Sequence, residues 1–341
     1  MLGVFLAACG TAPTRGASSR QTSRGATGTS TSDRPTTTTT TAPPGPTPLA
    51  GPVALAPFTP AAPTDGTWTA AGRTVNGFPA VYETRLVPPG GTIEAGIAWM
   101  DTNLLGAQLY SGSKSPGGGP YMFTAPVQTA QAATLVAAFN GGFLMKDAQG
   151  GYYTEGRTID PLVTGAASLV IHADGSVTVG AWGNDVTMTP DVVAVRQNLV
   201  PLVEGGQPTA QASNSDWSVW GATCGVSSCS GAGIENQWRS GVGVTADGAV
   251  VYVAGPALDP LQLAQLLVRA GVVRGMELDI NPSWPVFATY DPPAGAPAGP
   301  TNGSAMQPAA DQGAATFFEA SWGRDFITMS ARSTAVGAPS G

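Results

Sequence analysis

Apolar and polar positions alternate loosely between Trp68 and Tyr110, as in Val75-Asn-Gly-Phe78 and Thr92-Ile-Glu-Ala-Gly-Ile-Ala-Trp-Met100, with Pro88-Pro-Gly-Gly91 as a break. A period of two interrupted by Pro and Gly predicts short strands joined by turns. Pro126, close behind Thr124, predicts the first turn of a helix leading into Leu135-Val-Ala-Ala-Phe139, a continuous apolar run of the kind a strand covered on both faces presents. Further strands are expected at 167–172 and 176–179, with Ala173-Asp-Gly175 as their turn. The clearest unit is a hairpin of strands 241–245 and 249–253 around Ala246-Asp-Gly248. A helix follows, capped by Asp259 with Pro260 at its first position, burying Leu263, Leu266, Leu267 and Ala270 and ending at Gly271. Residues 276–280 read as the next strand, so the order strand, helix, strand predicts a sheet with a helix packed across it. Residues 291–313, rich in Pro, Gly and Ala, read as a surface loop, and 317–329 return to the core. The expected class is α+β: a single domain on a mixed, largely antiparallel β-sheet with packed helices.

The amino-terminal part has no such pattern. Residues 1–9 form an apolar run ending in Leu6-Ala-Ala-Cys9, a lipobox-like cleavage pattern in which Cys9 would carry diacylglycerol. The run is short and lacks preceding basic residues, which reads as a truncated leader. Residues 10–65 are Thr, Ser, Pro, Ala and Gly, with six threonines in a row from Thr36 to Thr41. Such a segment buries too little apolar surface to offset its ordering entropy and reads as a disordered stalk. The folded domain is therefore expected over 66–341, in an exported protein held at a membrane only through an amino-terminal lipid.

The chain has 15 basic and 22 acidic side chains, and the stalk holds four Arg and two Asp, so the domain is strongly acidic. An acidic surface argues against nucleic acid as a partner, though not against one phosphate in a local pocket. Cys224 and Cys229, with four residues between them in a Gly/Ser-rich stretch of an exported protein, are expected to form a small disulfide loop. Zinc would need more Cys or His ligands, and the only histidine, His172, reads as a surface strand residue.

With no nucleophile elbow, no Walker loop and no second histidine, acid/base chemistry would fall to carboxylates. Three segments set polar groups at the ends of apolar strands. Asn140-Gly141-Gly142 supplies an oriented amide and a backbone open to close approach. Arg239 offers a planar fork suited to phosphate. Glu277-Leu-Asp279-Ile-Asn281 places Glu277 and Asp279 on one face of a strand and Leu278 and Ile280 on the other.

In this order the segments resemble the phosphodiester glycosidase family. Asn140-Gly-Gly-Phe-Leu144 is similar to its Asn-Gly-Gly-Phe-Phe motif, and Arg239-Ser-Gly-Val-Gly-Val-Thr-Ala-Asp-Gly248 to its Arg, Gly-rich strand and Asp-Gly hairpin. The helix ending at Gly271 and Leu278-Asp279 close the pattern, and Val195-Arg-Gln-Asn-Leu-Val-Pro-Leu-Val-Glu-Gly-Gly206, between the first two motifs, is similar to the family's segment before a ligand-side loop. The family's glycine-rich stretch after Leu-Asp is here Ile280-Asn281-Pro282-Ser283-Trp284, which adds an aromatic wall able to stack on a sugar. The resemblance implies hydrolysis of a sugar-1-phosphodiester in a phosphorylated or cell-wall glycan. Asp279 and Glu277 would be the acid/base pair, Arg239 the phosphate ligand, and Asn140, Gly141, Gly142, Asn281 and Trp284 further substrate contacts. A divalent cation beside Asp279 stays open, with no ligand cluster to hold it. The alternative is a non-catalytic, wall-glycan-binding lipoprotein of the same fold.

Overall fold

A computed structural model of the chain describes residues 46–58, 65–214, 216–221, 237–307 and 312–332. Cys9, Cys224 and Cys229, and with them the expected lipid and disulfide, lie outside the described residues.

The expected α+β class is overturned. The described residues are mostly β, built on three sheets whose strand pairings are antiparallel. The largest sheet has eight strands, in the order Thr69–Ala70, Val81–Leu86, Ala95–Met100, Val250–Leu258, Gln237–Thr245, Val272–Glu277, Val203–Glu204, Gln207–Pro208. One five-stranded sheet runs Arg157–Asp160, Tyr152–Thr154, Val192–Gln197, Ala167–His172, Val177–Ala181. The other runs Gly303–Ala305, Phe287–Tyr290, Leu135–Asn140, Phe326–Ala331, Leu105–Tyr110.

The expected helix near Thr124 reduces to a single turn, Thr129–Ala132. The segment is too short and too poor in apolar spacing to pay out a helical face, and the chain passes straight into the fully buried strand Leu135–Asn140. Among the described residues one helix of length survives, Pro260–Arg269. Asp259 accepts from the Gln262 N–H while the Gln262 side chain accepts from the Asp259 N–H, a reciprocal cap of the kind that stabilises a helix by about 1 kcal/mol. Leu263, Leu266 and Leu267 are buried against the large sheet, each contributing roughly 1.5–3 kcal/mol by leaving water. This helix joins Val250–Leu258 to Val272–Glu277, which flank Gln237–Thr245, so Arg239 sits on the middle strand under the crossover. The hairpins at Gly175 and Gly248 form as expected, with φ of 80° and 91° that favour glycine.

Chain ahead of Gly66 also packs. The Leu49 N–H donates to Asp101 Oδ2 at 2.8 Å, and Leu49, Leu55 and Phe58 lie against the helix-side core. The Arg269 guanidinium stacks 3.9 Å from the Phe58 ring centroid. Leu49, Leu55 and Phe58 are the partly buried apolar residues of this Pro-rich stretch.

Candidate active site

The three sheets meet where strands end, and polar side chains tie each to another. Asn140, last residue of its strand, gives Nδ2 to Gly141 O at 2.8 Å and to Ser240 Oγ at 3.1 Å on the large sheet. Its Oδ1 accepts from Tyr252 Oη at 2.6 Å and from the Val286 N–H at 3.1 Å. Two donors and two lone pairs are thus all filled, and the amide expected to orient a sugar instead orients the sheets. Tyr252 is held in turn between Phe139 and Phe287, with centroids 5.4 and 5.3 Å away.

Gly141 and Gly142 are required by close approach. A Cβ on Gly141 would fall 2.1 Å from Asp325 Oδ2, and one on Gly142 would fall 2.5 Å from Asn198 Oδ1. Asp325 pairs with Arg196, Nε to Oδ2 at 2.7 Å, joining two sheets through an ion pair with exposures of 1% and 0%. Asn198 accepts from the Phe143 N–H at 3.0 Å and donates to the carbonyls of Glu277 and Leu278 at 3.0 and 3.1 Å.

Arg239 is fully buried, with Nη1 on Glu277 Oε1 at 2.8 Å and Nε on Leu258 O at 2.8 Å. The residue expected to meet phosphate from solvent therefore lies beneath the sheet, holding a carboxylate. Glu277 Oε2 is buried with no hydrogen-bond partner among the described residues. Burial pushes this carboxyl up to about 7 against the pull of Arg239, and the nearby Asp279 charge adds to the rise.

Asp279 lies two residues past the strand end at Glu277. Its Oδ1 accepts the N–H groups of Ile280 and Asn281 at 2.8 and 3.1 Å, and Oδ2 accepts from Arg324 Nη2. Burial raises its carboxyl above the usual range even so, against Arg324 and these backbone bonds. The turn back onto its own backbone rotates the chain. Leu278 packs in the core between the sheets and Ile280 in the helix-side core, so the shared face expected of 277 and 279 is not kept. The two carboxylates instead meet different arginines.

Above Asp279, the Arg324 guanidinium carbon lies 4.7 Å from the Trp284 ring centroid, and Trp284 meets Trp322 edge-on at 5.4 Å. Trp284 is half-buried. Asn281 is exposed, its Oδ1 accepting the Ser283 N–H at 3.0 Å. Sequence reading missed Arg324 and Asp325, whose only signal is a charged pair directly before the apolar strand Phe326–Ala331, and Ser240 and Tyr252, which carry none. A cleft of about 370 Å³ lies elsewhere, along the edge of Val81–Leu86 between Asp65, Thr67, Glu83 and Glu94, and no expected site residue lines it. Among the described residues no three or more His, Cys, Asp or Glu gather to hold a metal ion. Asp279 Oδ2 and Glu277 Oε1 each meet an arginine.

The profile of the phosphodiester glycosidase family matches residues 133–279, a span holding Asn140, Gly141, Gly142, Arg196, Arg239, Glu277 and Asp279 but neither Trp284 nor Arg324. Among solved structures, the catalytic domain of zebrafish N-acetylglucosamine-1-phosphodiester alpha-N-acetylglucosaminidase, auto-inhibited by its pro-peptide, is similar at 14% identity and a TM-score of 0.43, over 78% of this chain and 88% of that one. A hypothetical protein from Synechocystis is similar at 11% identity and a TM-score of 0.38, over 77% of this chain and 64% of that one. No curated protein matches the chain by sequence. Residues 133–279 are thus similar to the phosphodiester glycosidase family, in agreement with the motifs that resemble it.

Proposed function

We propose that the protein hydrolyses a sugar-1-phosphodiester in an envelope or extracellular glycan. In this reaction the bond between the anomeric carbon and the phosphate oxygen breaks. Water supplies the hydroxyl on carbon, its spare proton passes to a carboxylate, and the phosphate leaves as a monoester. Asp279 acts in acid/base chemistry with Glu277 as its partner, while Arg239 fixes Glu277 and Asn140 fixes the sheets about them. The observation that carries this reading is the pair of buried carboxylates at one strand end, both raised by desolvation, Glu277 to about 7. The match of residues 133–279 to the phosphodiester glycosidase family supports the reaction class.

The tether is part of the same proposal: lipid on Cys9 and the Thr/Pro-rich run behind it would hold the domain off a membrane, within reach of wall polymers. The second reading, a wall-glycan-binding protein without turnover, is favoured by one observation. Asn281-Pro282-Ser283-Trp284 stands where the family has glycines, and its Trp284 covers the arginine on Asp279. Free sugar released from a panel of sugar-1-phosphodiesters by the full chain separates the two. Release supports the hydrolase; glycan binding with no release across the panel supports the binder.

A further inference from the structure

The three buried arginines at the sheet junction are not equivalent. Arg196 spends its donors on Asp325 and on the carbonyls of Gln197 and Phe143. Arg239 gives its own to Glu277 and to the carbonyls of Leu258 and Trp220. Arg324, 6% exposed, gives Nη2 to Asp279, while its Nε is buried without an acceptor among the described residues. A buried donor left unmatched costs roughly 1–3 kcal/mol, and more when charged, so such a group is retained where something else fills it. Nε and Nη2 form one edge of the guanidinium, the edge that takes an oxyanion through two parallel bonds. Asp279 engages only half of it.

The stem of this arginine is fixed. The Ser113 N–H donates to Trp322 O at 2.8 Å and the Ser115 N–H to Gly323 O at 3.0 Å. Gly112 packs so closely that a Cβ there would lie 2.4 Å from the Arg324 carbonyl. Its cover, Trp284, rides on the 281–284 turn, where the Trp284 N–H donates to Asn281 O at 2.9 Å and the Ser283 N–H to Asn281 Oδ1 at 3.0 Å, and the half-buried ring lies edge-on to Trp322.

Building on the hydrolase reading, we propose that Arg324 is the anion-binding residue of the site, taking the phosphodiester on its Nε and Nη2 edge. Trp284 is the cover that moves aside to admit it, and Asp279 is the internal carboxylate that the incoming phosphate displaces. The exchange couples binding to chemistry, because Asp279 loses its cation as the substrate's phosphate arrives.

The test follows the arginine Nε–H and tryptophan indole N–H signals of the ¹⁵N-labelled full chain by NMR during titration with dimethyl phosphate and, separately, inorganic phosphate. Arg324→Lys and Trp284→Phe assign the two signals. The expected result is a saturable shift of Arg324 Nε–H and Trp284 indole N–H with one shared Kd for the diester, weakened about tenfold in Arg324→Lys as the bidentate edge is lost. A shift at Arg239 or Arg196 instead, or no saturable shift, overturns the proposal. Should Arg324→Lys not fold, Trp284→Ala replaces it: removing the cover tightens dimethyl phosphate binding a few-fold, and unchanged affinity counts against the proposal. Sugar release without an Arg324 response sinks this inference alone, whereas an Arg324 response without sugar release keeps the anion site and sinks the hydrolase.

Discussion

Arg239 Nη1 donates to Glu277 Oε1 at 2.8 Å between side chains that are both fully buried, on neighbouring strands of the large sheet. A pair so far from water is held by mutual need, since either partner alone would be an uncompensated buried charge. Arg239→Ala is therefore expected to lower stability by about 3–5 kcal/mol in urea unfolding. The double variant Arg239→Met with Glu277→Gln should lose clearly less than the two single losses combined. Additive losses would mean that the two side chains do not act as a pair.

The raised carboxyl of Glu277 makes stability depend on pH. Unfolded, it titrates near the ordinary 4.5; folded, near 7. The folded state holds the extra proton between these values, so this contribution is full below about 4.5 and is lost as the pH climbs to about 7. The loss is up to about 3 kcal/mol. Asp279, raised by burial, acts in the same sense, as does Glu83 at the distant cleft, pushed up to about 7. Thermal unfolding between pH 4.5 and 8 should show a declining Tm, and Glu277→Gln should flatten the decline while Glu83→Gln removes a separate part of it. A slope identical in wild type and Glu277→Gln contradicts the burial account.

Gly142→Ala tests the close approach at the sheet junction. Its Cβ would meet Asn198 Oδ1 at 2.5 Å and Arg196 Nη2 at 2.9 Å, both held in bonded networks that cannot retreat freely. The expected cost is about 1–3 kcal/mol in chemical denaturation, with loss of whatever turnover the wild type has. A neutral variant would mean the junction yields more easily than its hydrogen bonds imply.

Trp284→Ala removes a half-buried ring that contributes a cation–π contact to Arg324. About 0.5–1 kcal/mol of stability should go with it, leaving a folded protein. A loss several times larger in thermal unfolding would make Trp284 a core residue instead of a cover.

Local chemistry was readable in the sequence, and its destination was not. The Asp259 and Pro260 helix start, the Asp-Gly turns and the buried run before Asn140 each declare themselves within a few residues, and each forms. The class failed because one well-marked helix and a Pro-led segment suggested packed helices, while many short strands, such as Val203–Glu204 and Gln207–Pro208, carry too few residues to display a period. Asn140, Arg239, Glu277 and Asp279 do come together. Their roles shifted because the deciding partners are remote in sequence: Tyr252 is 112 residues from Asn140, and Arg324 is 45 from Asp279. No spacing rule connects such positions. Burial, which turned Arg239 from a ligand into a support, is a property of the assembled sheets.

In the proposed reaction Asp279 performs acid/base chemistry on a sugar-1-phosphodiester. The most direct measurement is kcat for sugar release, on the best substrate of the panel, by the wild-type chain and by Asp279→Asn confirmed as folded by circular dichroism. Asp279→Asn should lower kcat by about 10²–10⁴-fold, the range expected when a positioned proton-transfer group is removed. Turnover by Asp279→Asn within a few-fold of wild type would contradict it.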